Sequence, residues 1–550
     1  MLSLCATSSA HNSAKWKTRT NRNKLNLTAI ARMIWQLTWL SPLLFCLCCH
    51  GYNWSELNLP VRHIPYYFNN NPYIKDLCKE DDDCPYKMTL KKKRCWGYEK
   101  KCPVENRMSV PECPGDSRGW ANTKEDQIDQ FWKGADFGYV QERRNEMKAF
   151  CVPKSQDDSS LECSKYARYC YAKNIYLDFR HATFTANENF QEDFLLDGEI
   201  GGHCELNKRL LKAEGEHKSP LQSWFAEVEH YSSLPFKPIN NENCDIIIDK
   251  PVMFTKLDAG VNMFHHYCDF INYYTSQHVN NSFSTDIYVI NWDTSQRNYF
   301  DLFKETFEAF TQHKMKYIRD FDDKRVCIKE AMFPLLPRMR WGMFYNMPLI
   351  PGCHGSSLFQ AFSAHLVHRL HIPQEGPLEN KIRITILSRN TKYRNILNQD
   401  KLLAALKTVG EYEARLVVYS PKEMPFLEQV KISHNSDVFI GMHGAGLTHM
   451  LYQPDWASVI ELFHCGDPNC YLDLARLRGL KYFTWEKMEK LVQEDEGHHP
   501  QLGAHQKFTN YEFDEVEFMK LVAKATDHVR SHPDFIQARK SKYNTIKDEL

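Results

Sequence analysis

The chain has 550 residues, room for two or three domains each with its own core, so it is not a small scaffold that depends on staples alone. Hydrophobic residues make up 43% and aromatic residues 13%, as in a globular protein. With 69 basic against 69 acidic residues the formal charge is zero, so no global charge points to nucleic acid or an anionic membrane as partner.

Residues 1–50 read as an N-terminal extension and signal peptide. Lys15, Lys17, Arg19, Arg22, Lys24 and Arg32 precede an apolar run over 33–49, the charged-then-apolar order of a secretory signal. The run is shorter than the roughly 20 residues of a comfortable span and holds Gln36, Ser41 and Pro42, so cleavage is expected and a stable membrane span is not.

Residues 51–244 form a cysteine-rich region. Of the 19 cysteines in the chain, Cys5, Cys46, Cys48 and Cys49 fall in the N-terminal extension, and eight of the other 15 lie between Cys78 and Cys170. In an oxidising compartment that density implies a disulfide framework, and the odd total leaves at least one thiol unpaired. Among these 15 no CxxC pair argues for a structural metal. Helical patterns cover 123–148 and 206–229, and 174–179 reads as a strand. Sequons stand at Asn53 and Asn280, so both are candidate glycosylation sites.

Residues 245–378 read as a first Rossmann-like half. Strands are expected at 245–249 and 251–257, then a helix capped by Asn262 whose turns bring His265, His266 and Asp269 together, because residues three and four apart share a face. An imidazole or carboxylate aimed into a cleft is what a general base requires, although an amphipathic helix with surface histidines has the same spacing. A strand is expected over 285–293, ending in polar residues, and a helix over 301–310. Asp320-Phe-Asp322 is a weak candidate for a divalent metal, and a charged loop is the plainer reading. Arg340, near the junction of the halves, and Asn262 are further candidate donor-binding residues. A helix is expected over 355–370.

Residues 379–530 alternate regularly: strands at 382–387, 414–419, 437–441, 459–463 and 481–485, with helices at 402–409, 425–433, 447–452 and 472–477 between them. That order predicts a parallel, doubly wound sheet, with ligands beyond the carboxyl ends of its strands. At those ends stand Arg389, the turn His443-Gly444-Ala445-Gly446, and Glu461. Glycines let backbone approach a ligand, and a helix N-terminus offers unpaired N–H groups that suit a phosphate. Glu461 could hold ribose hydroxyls. The GxGxxG pattern is absent, which disfavours a dehydrogenase. The tail, 531–550, ends in Lys547-Asp548-Glu549-Leu550, an endoplasmic reticulum retention signal. With the entry signal it implies the reticulum lumen, and the KDEL receptor as a partner.

Lys256-Leu-Asp-Ala-Gly-Val-Asn-Met-Phe-His-His-Tyr-Cys-Asp-Phe-Ile-Asn272, Ile440-Gly-Met-His-Gly-Ala-Gly-Leu-Thr-His449 and the terminal tetrapeptide together resemble a glycosyltransferase family. It is shared by plant xylosyl- and arabinosyltransferases and a dystroglycan-modifying N-acetylglucosaminyltransferase, and the likeness is to its reticulum branch that acts on EGF-like repeats. The resemblance covers about residues 52–550. It implies a GT-B type α/β fold, two Rossmann-like domains with a disulfide-rich N-terminal region. It also implies UDP-N-acetylglucosamine (UDP-GlcNAc) as donor and inverting transfer to Ser or Thr hydroxyls of folded EGF-like repeats, in proteins such as Notch-type receptors or matrix proteins. His266 or Asp269 would be the base, with His265 positioning; Arg389, His443 and the amides of Gly444, Ala445 and Gly446 would hold the diphosphate, and Glu461 the ribose. A metal-type triplet of relatives falls near Gln312-His313-Lys314, which cannot bind metal that way. No cofactor is therefore expected to be essential, with a divalent metal allowed for as a stimulant. The alternatives are a related transferase using another UDP-sugar and an inactive luminal protein that binds EGF-like repeats.

Overall fold

The computed structural model describes residues 52–108, 111–297, 299–344 and 352–548. The expected signal run at 33–49 lies outside them, as do Glu549 and Leu550 of the terminal tetrapeptide. From Asn53 the chain is one compact unit containing two α/β halves.

The C-terminal half is the regular one. Strands Ile382–Ser388, Tyr412–Val418, Val438–Gly441, Ser458–Glu461 and Lys481–Thr484 form a wholly parallel sheet. Ile382–Ser388 lies between Tyr412–Val418 on one side and Val438–Gly441 on the other. The strand order reverses there, and an open α/β sheet forms its ligand crevice at that point. Helices Gln399–Lys407, Phe426–His434, Asn469–Arg478 and Glu515–Ser531 connect and cover the strands. Ile384, Ile386, Val438, Ile440 and Ile460, against Phe518 and Val522 of the last of these helices, are fully or almost fully buried in one core. Buried on both faces, such strands read as continuous apolar runs.

The N-terminal half is built on a mixed sheet of eleven strands among the described residues. Its parallel part runs Lys316–Tyr317, Tyr288–Asn291, Val252–Thr255 and Arg325–Phe333. Cys170–Asp178 then pairs antiparallel with Arg325–Phe333 over its whole length, and carries Ser160–Cys163 and Lys148–Val152 beyond it. The sheet thus runs across the boundary expected at 244. The helical pattern expected over 206–229 is a correction: only Lys208–Lys212 and Phe225–Val228 are α-helical. Gly215 and Pro220 interrupt the stretch, since proline removes an N–H and crowds the preceding turn.

Twelve cysteines form six disulfides: Cys78–Cys84, Cys95–Cys102, Cys113–Cys353, Cys151–Cys204, Cys163–Cys170 and Cys244–Cys327. Cys268, Cys465 and Cys470 remain as thiols. No helix of the described residues is long and apolar enough to cross a membrane.

Candidate active site

Val438–Gly441 ends at the topological switch, and the chain turns through His443 and Gly444 into a 3₁₀ helix, Ala445–Tyr452. Gly444 has φ +153°, and a Cβ there would stand 2.2 Å from Arg389 Nη1. Glycine is therefore what lets the guanidinium lie against the turn. Leu447 is the first residue whose N–H finds a carbonyl within the helix, at 2.9 Å from Gly444 O. The preceding residues, Ala445 and Gly446, are both partly exposed, and their amides have no carbonyl partner within the helix.

Two arginines converge on this turn. Arg394 Nη1 donates to the His443 carbonyl at 3.0 Å, and Arg389 Nη1 to the same oxygen at 3.4 Å. Burial, then the neighbouring Arg394, brings the Arg389 guanidinium down to about 10. Among the described residues neither arginine has a carboxylate partner, and Arg394 Nε is buried with no hydrogen-bond partner at all. Two cations crowded at a helix start without an anion form a site that lacks negative charge. The His443 ring is held from the opposite side. Its Nδ1 donates to Glu461 Oε1 at 2.8 Å, while Tyr482 OH donates to Glu461 Oε2 at 2.5 Å. Glu461 is fully buried and both its oxygens are engaged, so what it holds is His443.

The helix Met263–Asn280 of the N-terminal half faces this region. Asn262 caps it, accepting from Phe264 N–H at 3.1 Å. Phe264 packs edge-on to Tyr471 with centroids 5.4 Å apart, and Tyr471 edge-on to His443 at 5.1 Å. This row of rings joins the start of the helix to the glycine turn. Beside Phe264, His265 has a 26% exposed side chain, with Nδ1 3.6 Å from Asp258 Oδ2 and 3.3 Å from Arg338 Nη2. Arg338 binds Asp258 bidentately at 2.7 and 3.0 Å. Burial alone would raise Asp258; the hydrogen bonds from His265 and Arg338 outweigh it and lower its pKa.

His266 and Asp269 are placed differently. Both are fully buried: His266 Nδ1 meets Asp269 Oδ2 and Nε2 meets Asp301 Oδ2, each at 2.9 Å. Burial opposes charge on this imidazole, but its two carboxylate neighbours prevail and raise it to about 9. An imidazolium with both nitrogens spent on carboxylates has no lone pair for an acceptor proton. Asp269 is raised to about 6, first by burial.

Residues 149–460 match the glycosyltransferase 61 family. The chain belongs to that family.

Among its relatives, the EGF domain-specific O-linked N-acetylglucosamine transferases of Pan troglodytes and Gallus gallus are each 56% identical over 88% of this chain, spanning 92% and 91% of their own lengths. That of Drosophila melanogaster is 44% identical over 91% of this chain and 96% of its own. Among solved structures, the bacterial iron-containing dodecameric glycosyltransferase TibC from enterotoxigenic E. coli is 14% identical, with a TM-score of 0.23 over 55% of this chain and 77% of its own, a likeness too slight to argue from.

Membership of the glycosyltransferase 61 family points to a nucleotide-sugar donor, and the glycine turn with its two arginines is a basic site without a carboxylate partner among the described residues. Arg389, His443, Gly444, Ala445 and Gly446 are together there, with Glu461 behind them. Arg394 is missing from the sequence reading; the basic loop Lys392-Tyr-Arg394 following a strand end is the signal that points to it. Asp258, Asp301 and Arg338 also join the site from outside the helix that the histidines marked. Arg340 is exposed, stacks over Trp341 at 5.5 Å, and lines a separate groove. Asp320 and Asp322 are both exposed, and Asp320 accepts from Tyr317 N–H at 2.9 Å to cap its own turn. Asn53 is exposed and caps Trp54–Leu57, whereas Asn280 is partly buried, its Nδ2 3.4 Å from Met332 Sδ. Lys547 and Asp548 end the helix Pro533–Asp548.

Proposed function

We propose that this chain transfers N-acetylglucosamine from UDP-GlcNAc to Ser or Thr hydroxyls of folded EGF-like repeats, with inversion, in the lumen of the endoplasmic reticulum. The observation that carries the chemistry is the pair Arg389 and Arg394, converging without a carboxylate on a glycine turn that opens a helix. The names of relatives that match nearly the whole chain support the sugar and the acceptor. The entry signal and the terminal tetrapeptide, which would engage the KDEL receptor, support the compartment.

The diphosphate lies against both guanidiniums and the amides of Ala445 and Gly446, with His443 fixed beside it by Glu461. His265, the member of the histidine pair whose side chain reaches the surface, takes the proton of the acceptor hydroxyl, and Asp258 and Arg338 orient its ring. The acceptor oxygen bonds to the anomeric carbon from the face opposite the diphosphate, the bond from that carbon to the diphosphate oxygen breaks, and UDP departs onto the arginines. His266, Asp269 and Asp301 hold the first turns of the helix in place. The arginines and amides take up the charge that a divalent ion would otherwise carry, so no step calls for one.

The test is intact-mass analysis of a purified folded EGF-like repeat incubated with the protein and UDP-GlcNAc, with and without chelator. A gain of one N-acetylhexosamine in both tubes is expected. No gain in either tube, and none with added manganese, refutes the proposal for that acceptor.

A further inference from the structure

A groove of about 1060 Å³ opens beside the cleft and takes no part in the chemistry above. Its rim carries Trp120, 61% exposed, and Trp341, 55% exposed. Two large aromatic side chains left open to water along one concavity are unusual for a surface without a partner. The Trp120 segment is fastened by the Cys113–Cys353 disulfide, so this rim belongs to the folded body.

Beneath a mostly apolar lining the groove holds a cluster of buried charged side chains. Arg143 and Arg168 are each 6% exposed, and Arg143 Nε, Arg168 Nε and Glu146 Oε2 are buried without hydrogen-bond partners. Arg143 is neutralised by Glu146 at 2.9 Å. Arg168, stacked over Tyr166 at 5.0 Å, shares the charge of Glu146 with Arg143, while Arg340, on the rim, is in no ion pair among the described residues. The exposed guanidinium of Arg340 on the rim is open to a carboxylate from a partner.

Position indicates what that is. Arg338 touches His265 and Asp258, and Trp341 follows it by three residues, at most about 11 Å of chain. A folded acceptor that brings one hydroxyl to His265 must rest its remaining bulk on the surface alongside, and Trp, Tyr and Arg are the residue types that dominate binding at such surfaces.

We propose that this groove is the docking surface for the body of the acceptor repeat, with an apolar side chain of the repeat against Trp120 and Trp341 and a carboxylate of the repeat at Arg340. This rests on the transferase reading above. It extends that reading from the reacting hydroxyl to recognition of the fold that carries it.

The experiment is steady-state transfer by the full chain to a folded EGF-like repeat, alongside UDP release from UDP-GlcNAc without acceptor. Trp120→Ala, Trp341→Ala and Arg340→Glu alter exposed side chains. Each is expected to raise KM for the repeat at least tenfold, while kcat and acceptor-free UDP release stay within twofold of the wild type. If the wild type transfers sugar and the variants share its KM, or change only its oligomeric state, the groove is not the docking surface and the transferase reading stands. If the wild type releases UDP yet never glycosylates the repeat, the reading and this inference fall together.

Discussion

The hydroxyl of Tyr267 is hydrogen-bonded to that of Tyr452, joining the helix that carries His265 to the far end of the helix that begins at the glycine turn. Tyr267 also meets Thr306 Oγ1 at 3.0 Å. Y267F therefore removes two hydrogen bonds and Y452F one. Expected losses are about 1–3 kcal/mol for Y267F and about 0.5–1.5 for Y452F, read by urea unfolding. Equal losses would mean that the Thr306 bond contributes nothing.

Gly444 and Arg389 compete for one space. A Cβ at 444 would displace Arg389 Nη1, so G444A and R389A should weaken UDP binding by similar factors, about 10–100-fold, the worth of one guanidinium–phosphate interaction. The double variant should bind little more weakly than either single one, since both remove the same interaction. Calorimetric titration with UDP checks this. Fully additive losses would show that Gly444 acts through something other than Arg389.

Glu461 fixes the tautomer of His443. E461Q removes the carboxylate that holds the Nδ1 proton, and whichever way the amide turns, only one of His443 and Tyr482 meets its oxygen. UDP affinity should fall about tenfold while the thermal midpoint moves little, because Gln fills the same buried space. Unchanged affinity would remove His443 from the donor site.

His266 gives the fold a dependence on alkaline pH. Its folded value, raised to about 9 from 6.5, means that the protonated ring favours folding. That contribution is complete below about pH 6.5 and is lost as the pH rises through 9. Between these limits the wild type should lose stability faster than H266Q, whose side chain does not titrate. Parallel curves from urea unfolding at several pH values would show that the ring is neutral in the native protein.

The parallel sheet was legible because each of its strands is a short apolar run followed by helical spacing, and because Gly444 and Gly446 mark a turn few other residues could make. Arg394 was not, since its place beside Arg389 depends on an irregular loop with φ +62° at Arg394 itself. The spacing His265, His266, Asp269 placed three groups on one helix but could not say which of its sides packs inward. Asp301, 35 residues beyond His266, settles that by closing on the imidazole from a separate segment. Cysteine pairing was equally closed to inspection: Cys113 reaches over 240 residues to Cys353 while Cys163 takes Cys170, seven residues away.

The pairing of Cys170–Asp178 with Arg325–Phe333 sets a timetable for synthesis. While the intervening residues are still being made, the strand at Cys170–Asp178 has one long edge without its neighbour, and unpaired edges invite wrong partners. The sheet closes only after residue 333 has left the ribosome, and Cys113 waits longer still for Cys353. The nascent chain thus passes through a prolonged stage with an open strand edge and Cys113 still without its partner.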